Sequence, residues 1–254
     1  DITCRDWSSD VCSSDLGLAV LTALVVIVVF APMLFPLDPY TSDYFEFGTA
    51  PSAKHPLGTD AVGRDLLARL IYGGRTSLFV GLTSTLISLL IGVPLGLTAG
   101  YYRGWWETLV MRLADIFMSF PAMVLILVLV AVVGPSIWSV TVVIGILGWT
   151  QFARLVFANV LSVREKEYVE SAYAIGTKDF TVLTKYILPN SIAPILISMT
   201  FRTAQAILME SSLSFLGMGV QPPMASWGNL MNEALSITVL SQKPWIWAPP
   251  GIAL

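Results

Sequence analysis

Five continuous apolar runs of about 20 residues each restrict what this chain can fold into. They cover residues 16–37, 77–99, 116–133, 138–157 and 191–213. A helix rising about 1.5 Å per residue crosses a hydrocarbon core of about 30 Å with a run of this length. In lipid, only helices and closed barrels satisfy the backbone, and barrel strands would alternate polar and apolar residues. The sequence therefore predicts an all-α membrane protein, a polytopic helical bundle.

Composition supports that class. The chain is 55% hydrophobic and 12% charged, whereas soluble domains carry about 25% charged residues. Its net charge of −3 offers no basic surface for nucleic acid, so we expect lipid and no nucleic acid as its surroundings. A sixth apolar run begins at 245–248 and stops with the chain at Leu254. We expect it to be the start of a truncated sixth span.

The first fifteen residues are polar, low in complexity and unlike the rest of the chain. They hold its two cysteines, Cys4 and Cys12, whose spacing without a nearby histidine makes a poor metal site. The stretch is similar to translated sequencing adapter, and we expect segment 1–15 to be non-native or disordered. The predicted organisation is then a first transmembrane helix plus an amphipathic extracytoplasmic segment at 16–76, and a membrane core at 77–254.

A charged, helix-patterned island interrupts the apolar runs at 158–190. Apolar residues at spacings of three and four predict two short helices, one presenting Val169 and Ala172, the other Phe180, Leu183 and Ile187. The turn between them holds a glycine, which tolerates left-handed backbone angles, and a proline at the end marks re-entry into the membrane. The residues that set the spacing are Glu170, Ser171, Ala172, Gly176, Leu188 and Pro189.

This spacing resembles the cytoplasmic coupling loop of ABC importer permeases, Glu-Ala-Ala-x3-Gly-x9-Ile-x-Leu-Pro. Other segments are similar, in the same order, to the C-type permease of dipeptide, oligopeptide and nickel importers. They are 55–60, 63–65, 69–73, 92–96, 100–104, 112–115, 120–121, 213–223 and 226–228. The chain departs from the pattern at Ser171, where alanine is usual, at Tyr186, where isoleucine is usual, and in its incomplete last span.

The resemblance implies a set of partners in a bacterial or archaeal inner membrane. They are a homologous second permease, two cytoplasmic ATP-binding subunits docked on residues 165–189, and an extracytoplasmic solute-binding protein. A cytoplasmic loop at 158–190 places 38–76, 134–137 and 214–244 outside, where the binding protein would dock. The sequence contains no Gly-x4-Gly-Lys-Ser/Thr phosphate loop, so we expect no enzyme activity and no cofactor in this chain.

The cargo and two other interpretations stay open. Dipeptide, oligopeptide, glutathione and nickel permeases share these motifs, and an ABC permease for another solute is an alternative. A secondary transporter is a further alternative, although it would show paired broken helices related by an internal repeat, which the sequence lacks.

Small residues recur every four positions at Gly92, Gly96 and Gly100, which places them on one helical face. Such a face lets two membrane helices pack closely. We expect packing within the chain, with the seam to the second permease, or a pivot helped by Pro94, as the alternatives.

Two charged residues, Arg202 and Glu210, lie within the fifth predicted span. Charges at membrane depth are costly and usually face a bundle interior or a watery path. They are candidates for lining the translocation pathway, with a structural ion pair or interfacial snorkelling as the alternative. The single histidine, His55, has no cysteine or carboxylate cluster around it, so we expect a loop-packing role and no metal site.

Overall fold

The computed structural model describes residues 28, 30 and 38–254. Segment 1–15, expected to be non-native, lies outside the described residues, as does the predicted first span 16–37 apart from Val28 and Phe30. In the described part the regular structure is helical, and the β pairing consists of isolated bridges at Ser42–Arg64 and Thr59–Asp65. The prediction of an all-α protein is therefore confirmed.

The helices are named here in chain order. They are α1 Leu66–Tyr102, α2 Gly104–Ser119, α3 Ala122–Val133, α4 Ile137–Leu147, α5 Trp149–Arg164, α6 Glu167–Ala174, α7 Asp179–Thr181, α8 Leu188–Phe215, α9 Trp227–Asn232, α10 Ile237–Gln242 and α11 Pro244–Ala253. A π-helical segment, Val182–Ile187, joins α7 to α8, and a 3₁₀ turn, Glu233–Leu235, follows α9.

The chain divides into two compact units, and residues 1–76 and 223–253 form the first. Its core contains Leu66, Leu230 and Ile246. The Nε1–H of Trp227 donates to the carbonyl oxygen of Leu70 at 2.9 Å, and Ser226 caps α9. Residues 223–253 therefore pack with residues from 38–76, whereas the sequence analysis assigned them to the core that begins at residue 77.

The second unit, residues 77–222, is a helical bundle. Val80, Val140, Ile144 and Leu213 are fully buried in one of its clusters, where residues of α1, α4 and α8 meet. Hydroxyl groups between the helices are also buried: Ser88 Oγ donates to the carbonyl oxygen of Gly145 at 2.8 Å. Such bonds satisfy polar groups that lipid would leave without partners.

Three helical stretches in the described part are long and apolar enough to cross a membrane: Leu66–Tyr102, Ile137–Arg164 and Asp179–Phe215. They contain the predicted spans 77–99, 138–157 and 191–213. The segment α11 is 10 residues long and thus about 15 Å, too short to cross by itself.

The third predicted span, 116–133, is not one straight helix. Its residues belong to α2 and α3, which are bent by 87° relative to each other. A proline hinders helical geometry in the residue before it, and Phe120 is indeed extended, with ψ 143°. Pro121 thus ends α2 at Ser119 and precedes α3, so the predicted span 116–133 is interrupted at this proline.

Candidate coupling segment and membrane cavity

Residues 165–189, the coupling segment, connect α5 to α8. Gly176 follows α6 with φ +77°, a left-handed conformation that costs glycine little. The backbone N–H of Thr177 donates to the carbonyl oxygen of Ala172 at 3.1 Å, which is the bond of a Schellman helix end. Glycine at this position thus lets α6 end and the chain turn towards α7.

One face of the coupling segment packs on its own bundle. Val169, Ala172, Leu183 and Ile187 belong to a buried cluster that includes Val160 of α5. Ala172 is only 3% exposed. Its small side chain allows α6 to pack closely on the bundle.

Other residues of the coupling segment are exposed. They are Glu170, Ser171 and Gly176, together with two large apolar side chains, Ile175 and Phe180, which are 80% and 75% exposed. The sequence analysis placed Phe180 on one helical face with Leu183 and Ile187. Those two residues are buried, whereas Phe180 is exposed.

Two polar contacts at the end of α1 involve the coupling segment and the last residue of α5. The hydroxyl of Tyr101 donates to Asp179 Oδ1 at 2.8 Å, and Arg164 Nη1 donates to the carbonyl oxygen of Tyr101 at 3.0 Å. The guanidinium thereby occupies the C-terminal end of α1, where carbonyl groups without helical partners attract cations. The start of α7 is thus connected to the membrane helix α1.

Pro189, which the sequence analysis took as the mark of re-entry into the membrane, lies in the first turn of α8. The helical stretch nevertheless continues through it, from Asp179 to Phe215. The preceding turn, Val182–Ile187, is π-helical, and the N–H of Leu188 bonds to the carbonyl oxygen of Leu183. A proline lacks the N–H that a regular α turn would use, and the wider turn accommodates it. Leu188 is half-buried and Pro189 exposed.

The glycine stripe of α1 faces α5 within the same chain. A Cβ atom at Gly92 would lie 2.7 Å from Cβ of Phe152, one at Gly96 3.0 Å from Cα of Ala153, and one at Gly100 2.8 Å from Cβ of Val160. The stripe therefore serves contact between α1 and α5. That face is occupied by α5, which speaks against the alternative of a seam with a second permease.

Arg202 of α8 borders two cavities of the second unit, of about 570 Å³ and about 440 Å³. The larger is bounded by residues of α2–α5 and α8, and Gln151 and Gln205 border both. Arg202 is 7% exposed, and its Nη2 donates to the carbonyl oxygen of Ile144 at 3.1 Å. Its Nε has no hydrogen-bond partner among the described residues.

Glu210 has different surroundings. It is fully buried, and its carboxylate accepts hydrogen bonds from Ser77 Oγ at 2.8 Å and Ser214 Oγ at 2.6 Å, with Ser211 Oγ at 3.4 Å. It does not border either cavity described above. These contacts favour a structural role for Glu210 in joining α1 to α8, and leave Arg202 as the pathway candidate.

In the first unit, His55 links loop segments. Its Nδ1 lies 2.7 Å from Asp65 Oδ2, and its Nε2 lies 3.3 Å from Glu46 Oε2. Carboxylates do cluster around His55, contrary to the sequence analysis, and His55, Glu46 and Asp43 are close enough together to hold a metal ion. However, the ammonium group of Lys54 lies 2.6 Å from Asp43 Oδ2 and 3.1 Å from Glu46 Oε1. The geometry therefore favours the loop-packing role.

The comparisons with known proteins agree with this architecture. Residues 92–253 match the family model described as "Binding-protein-dependent transport system inner membrane component". The chain is 40% identical over 239 residues to the glutathione transport system permease protein of Pectobacterium atrosepticum, covering 94% of this chain and 78% of that protein. It is 38% identical over 244 residues to the dipeptide transport system permease protein of Alkalihalophilus pseudofirmus, with the same coverages.

Its fold is also similar to a chain of the MetNI methionine ABC transporter, with a TM-score of 0.61, 17% identity, and coverage of 74% of this chain and 87% of that one. The chain belongs to the family of binding-protein-dependent transport system inner membrane components. It is therefore a multi-pass permease subunit of a bacterial ABC importer, in the inner membrane. Such a permease works with an ATPase, on which ATP is hydrolysed, and with a substrate-binding protein.

Proposed function

We propose that this permease imports peptides and that its coupling segment docks on a cytoplasmic ATPase. The observation that carries the docking proposal is the water-exposed surface of the segment. Glu170 supplies a charge there, and Ile175 and Phe180 supply apolar surface that a water-facing loop would not normally leave uncovered. The peptide cargo is supported by relatives named for glutathione and dipeptide transport.

The proposed complex contains a homologous second permease, two ATPase subunits and an extracytoplasmic binding protein. The two permeases enclose the pathway, and the cavities beside Arg202 are this chain's part of it. The ATPase must bind the coupling segment with different affinity in the inward-open and outward-open states, because equal affinity would shift no equilibrium. The polar contacts of Tyr101 and Arg164 then couple a displaced segment to α1.

The test is a pull-down of the full-length permease, expressed with its partner subunits, with Glu170→Lys as the variant. We expect the wild type to retain the ATPase and the variant to lose most of it. The matched control is Glu107→Lys, since both glutamates lie in the first turn of a helix, where a lysine opposes the helix dipole by similar amounts. An ATPase that both variants retain fully would refute docking through Glu170, and a wild type without any ATPase would refute the proposed complex.

A further inference from the structure

The buried guanidinium of Arg202 has hydrogen-bonding capacity that the protein does not use. Among the described residues that border the two cavities, Arg202 is the only charged one. An arginine carries five N–H donors and no acceptor. One donor group reaches the carbonyl oxygen of Ile144, while Nε, equally buried, has no partner among the described residues. A buried polar group without a partner is costly and points to a missing one.

Contacts with the junction of α4 and α5 hold the guanidinium of Arg202 in place. It lies over Gly148, where α4 ends and α5 begins, and a Cβ atom at that glycine would approach Arg202 Nε to 2.8 Å. The accepting carbonyl of Ile144 belongs to the last turn of α4, whose partial negative charge favours a cation. These contacts account for one edge of the guanidinium. They do not neutralise its charge.

We propose that Arg202 binds the carboxylate of the transported solute in the cavity bordered by Gln151 and Gln205. A guanidinium presents paired N–H groups that match the two oxygens of a carboxylate, and such charge-assisted bonds are about twice as strong as those between neutral groups. The two glutamine amides bordering the same space can bond the peptide groups that follow. This inference rests on the proposed peptide cargo. It narrows the cargo to solutes that carry a free carboxylate, because a lone positive charge would repel a bare metal cation such as Ni²⁺.

The test is uptake into proteoliposomes that contain the complete complex with its binding protein, using alanyl-alanine and alanyl-alanine amide as probes. All reactions contain the same binding protein, so any preference of that protein for the acid or the amide cancels when each variant is compared with the wild type. We expect Arg202→Gln to lower uptake of the free acid by at least about tenfold, which corresponds to about 1.4 kcal/mol. Uptake of the amide should hardly change, since the amide does not pair with the lost charge.

Two variants separate recognition from folding. Gln205→Glu changes an exposed side chain and places a carboxylate beside the guanidinium, so it should lower uptake of the free acid selectively while the core stays intact. Arg202→Lys keeps the charge but not the planar donor pair, so it should fall between wild type and Arg202→Gln. The control is Arg154→Gln, an exposed arginine that pairs with Asp115 and borders neither cavity.

Equal losses for acid and amide in both Arg202→Gln and Gln205→Glu would overturn the inference, as would unchanged uptake of the acid. In those cases the ATPase still copurifies and the proposed importer stands. A wild type that hydrolyses ATP but takes up neither peptide would overturn the peptide cargo and the inference together.

Discussion

Substitutions at Gly176 can distinguish the effect of backbone strain on stability from the effect of lost contact with a docked ATPase. Its φ of +77° is left-handed, and nothing in the described part of the chain lies within 4 Å of where a Cβ would stand. An alanine or a leucine at this position would cost about 1–2 kcal/mol of backbone strain. The Cβ atom would meet no other part of the described protein, so the side chain adds no clash there. Gly176→Ala and Gly176→Leu should therefore destabilise the isolated permease by similar amounts.

A docked ATPase would distinguish the two variants. If its surface packs on the turn, the larger leucine overfills the contact, which typically costs about 1–3 kcal/mol. That corresponds to an affinity lower by about 5-fold to 150-fold for Gly176→Leu than for Gly176→Ala. Gly176→Asn is the matched control for a larger side chain with less strain, because asparagine tolerates the left-handed region.

The assay titrates the ATPase onto detergent-solubilised permease of each variant and then measures ATP hydrolysis stimulated by the binding protein. Thermal unfolding of the permease alone checks that alanine and leucine cost the same. Equal ATPase affinities for Gly176→Ala and Gly176→Leu would refute contact at this turn. A large loss already present in Gly176→Ala would show that backbone strain, and not side-chain bulk, is responsible.

Two further predictions concern stability. Gly96→Val should lower the thermal unfolding temperature, because the new Cβ would press on backbone atoms of Ala153. The control Leu90→Val, at an exposed position of the same helix, should have little effect. Equal shifts in unfolding temperature for the two variants would contradict the packing of α1 on α5. Burial, and to a lesser extent the nearby Asp60, raises the pKa of Glu233 in the folded protein above its usual 4.5. The protonated carboxyl group therefore contributes fully to the free energy of unfolding below pH 4.5, and this contribution is lost as the pH rises through the raised pKa of the folded state. Glu233→Gln should therefore flatten the decline in unfolding temperature from acid to neutral pH, and an unchanged profile would refute this explanation.

The sequence alone was sufficient to predict those elements that depend on residues close together in the chain. Runs of about 20 apolar residues located three spans correctly, since backbone satisfaction in lipid leaves few other choices. The four-residue spacing of Gly92, Gly96 and Gly100 identified a packing face. The bend at Pro121 was also readable, because a proline restricts the residue before it, but the apolar run continues through it and concealed the break.

Features that depend on distant contacts were not predictable in the same way. Nothing in residues 223–253 indicates that they pack with 38–76, because that contact joins segments more than a hundred residues apart. The partner of Arg202 is a backbone carbonyl on another helix, and such a bond leaves no residue pattern. Phe180 follows the helical period of Leu183 and Ile187, yet it lies beyond the edge of the buried cluster that receives them.

The proposed docking and recognition sites share one helical element. Asp179–Phe215 is 37 residues long and carries part of the coupling segment at its start and Arg202 further along, 23 residues or about 34 Å from Asp179. A helix of this kind transmits a displacement along its axis unless it bends. Its weakest points are the π-helical turn Val182–Ile187 and Pro194, where the regular hydrogen bonding is interrupted. Movement of the coupling segment will therefore either displace the guanidinium in its cavity or be absorbed at these two points, so they are where coupling between ATP hydrolysis and solute release would be set.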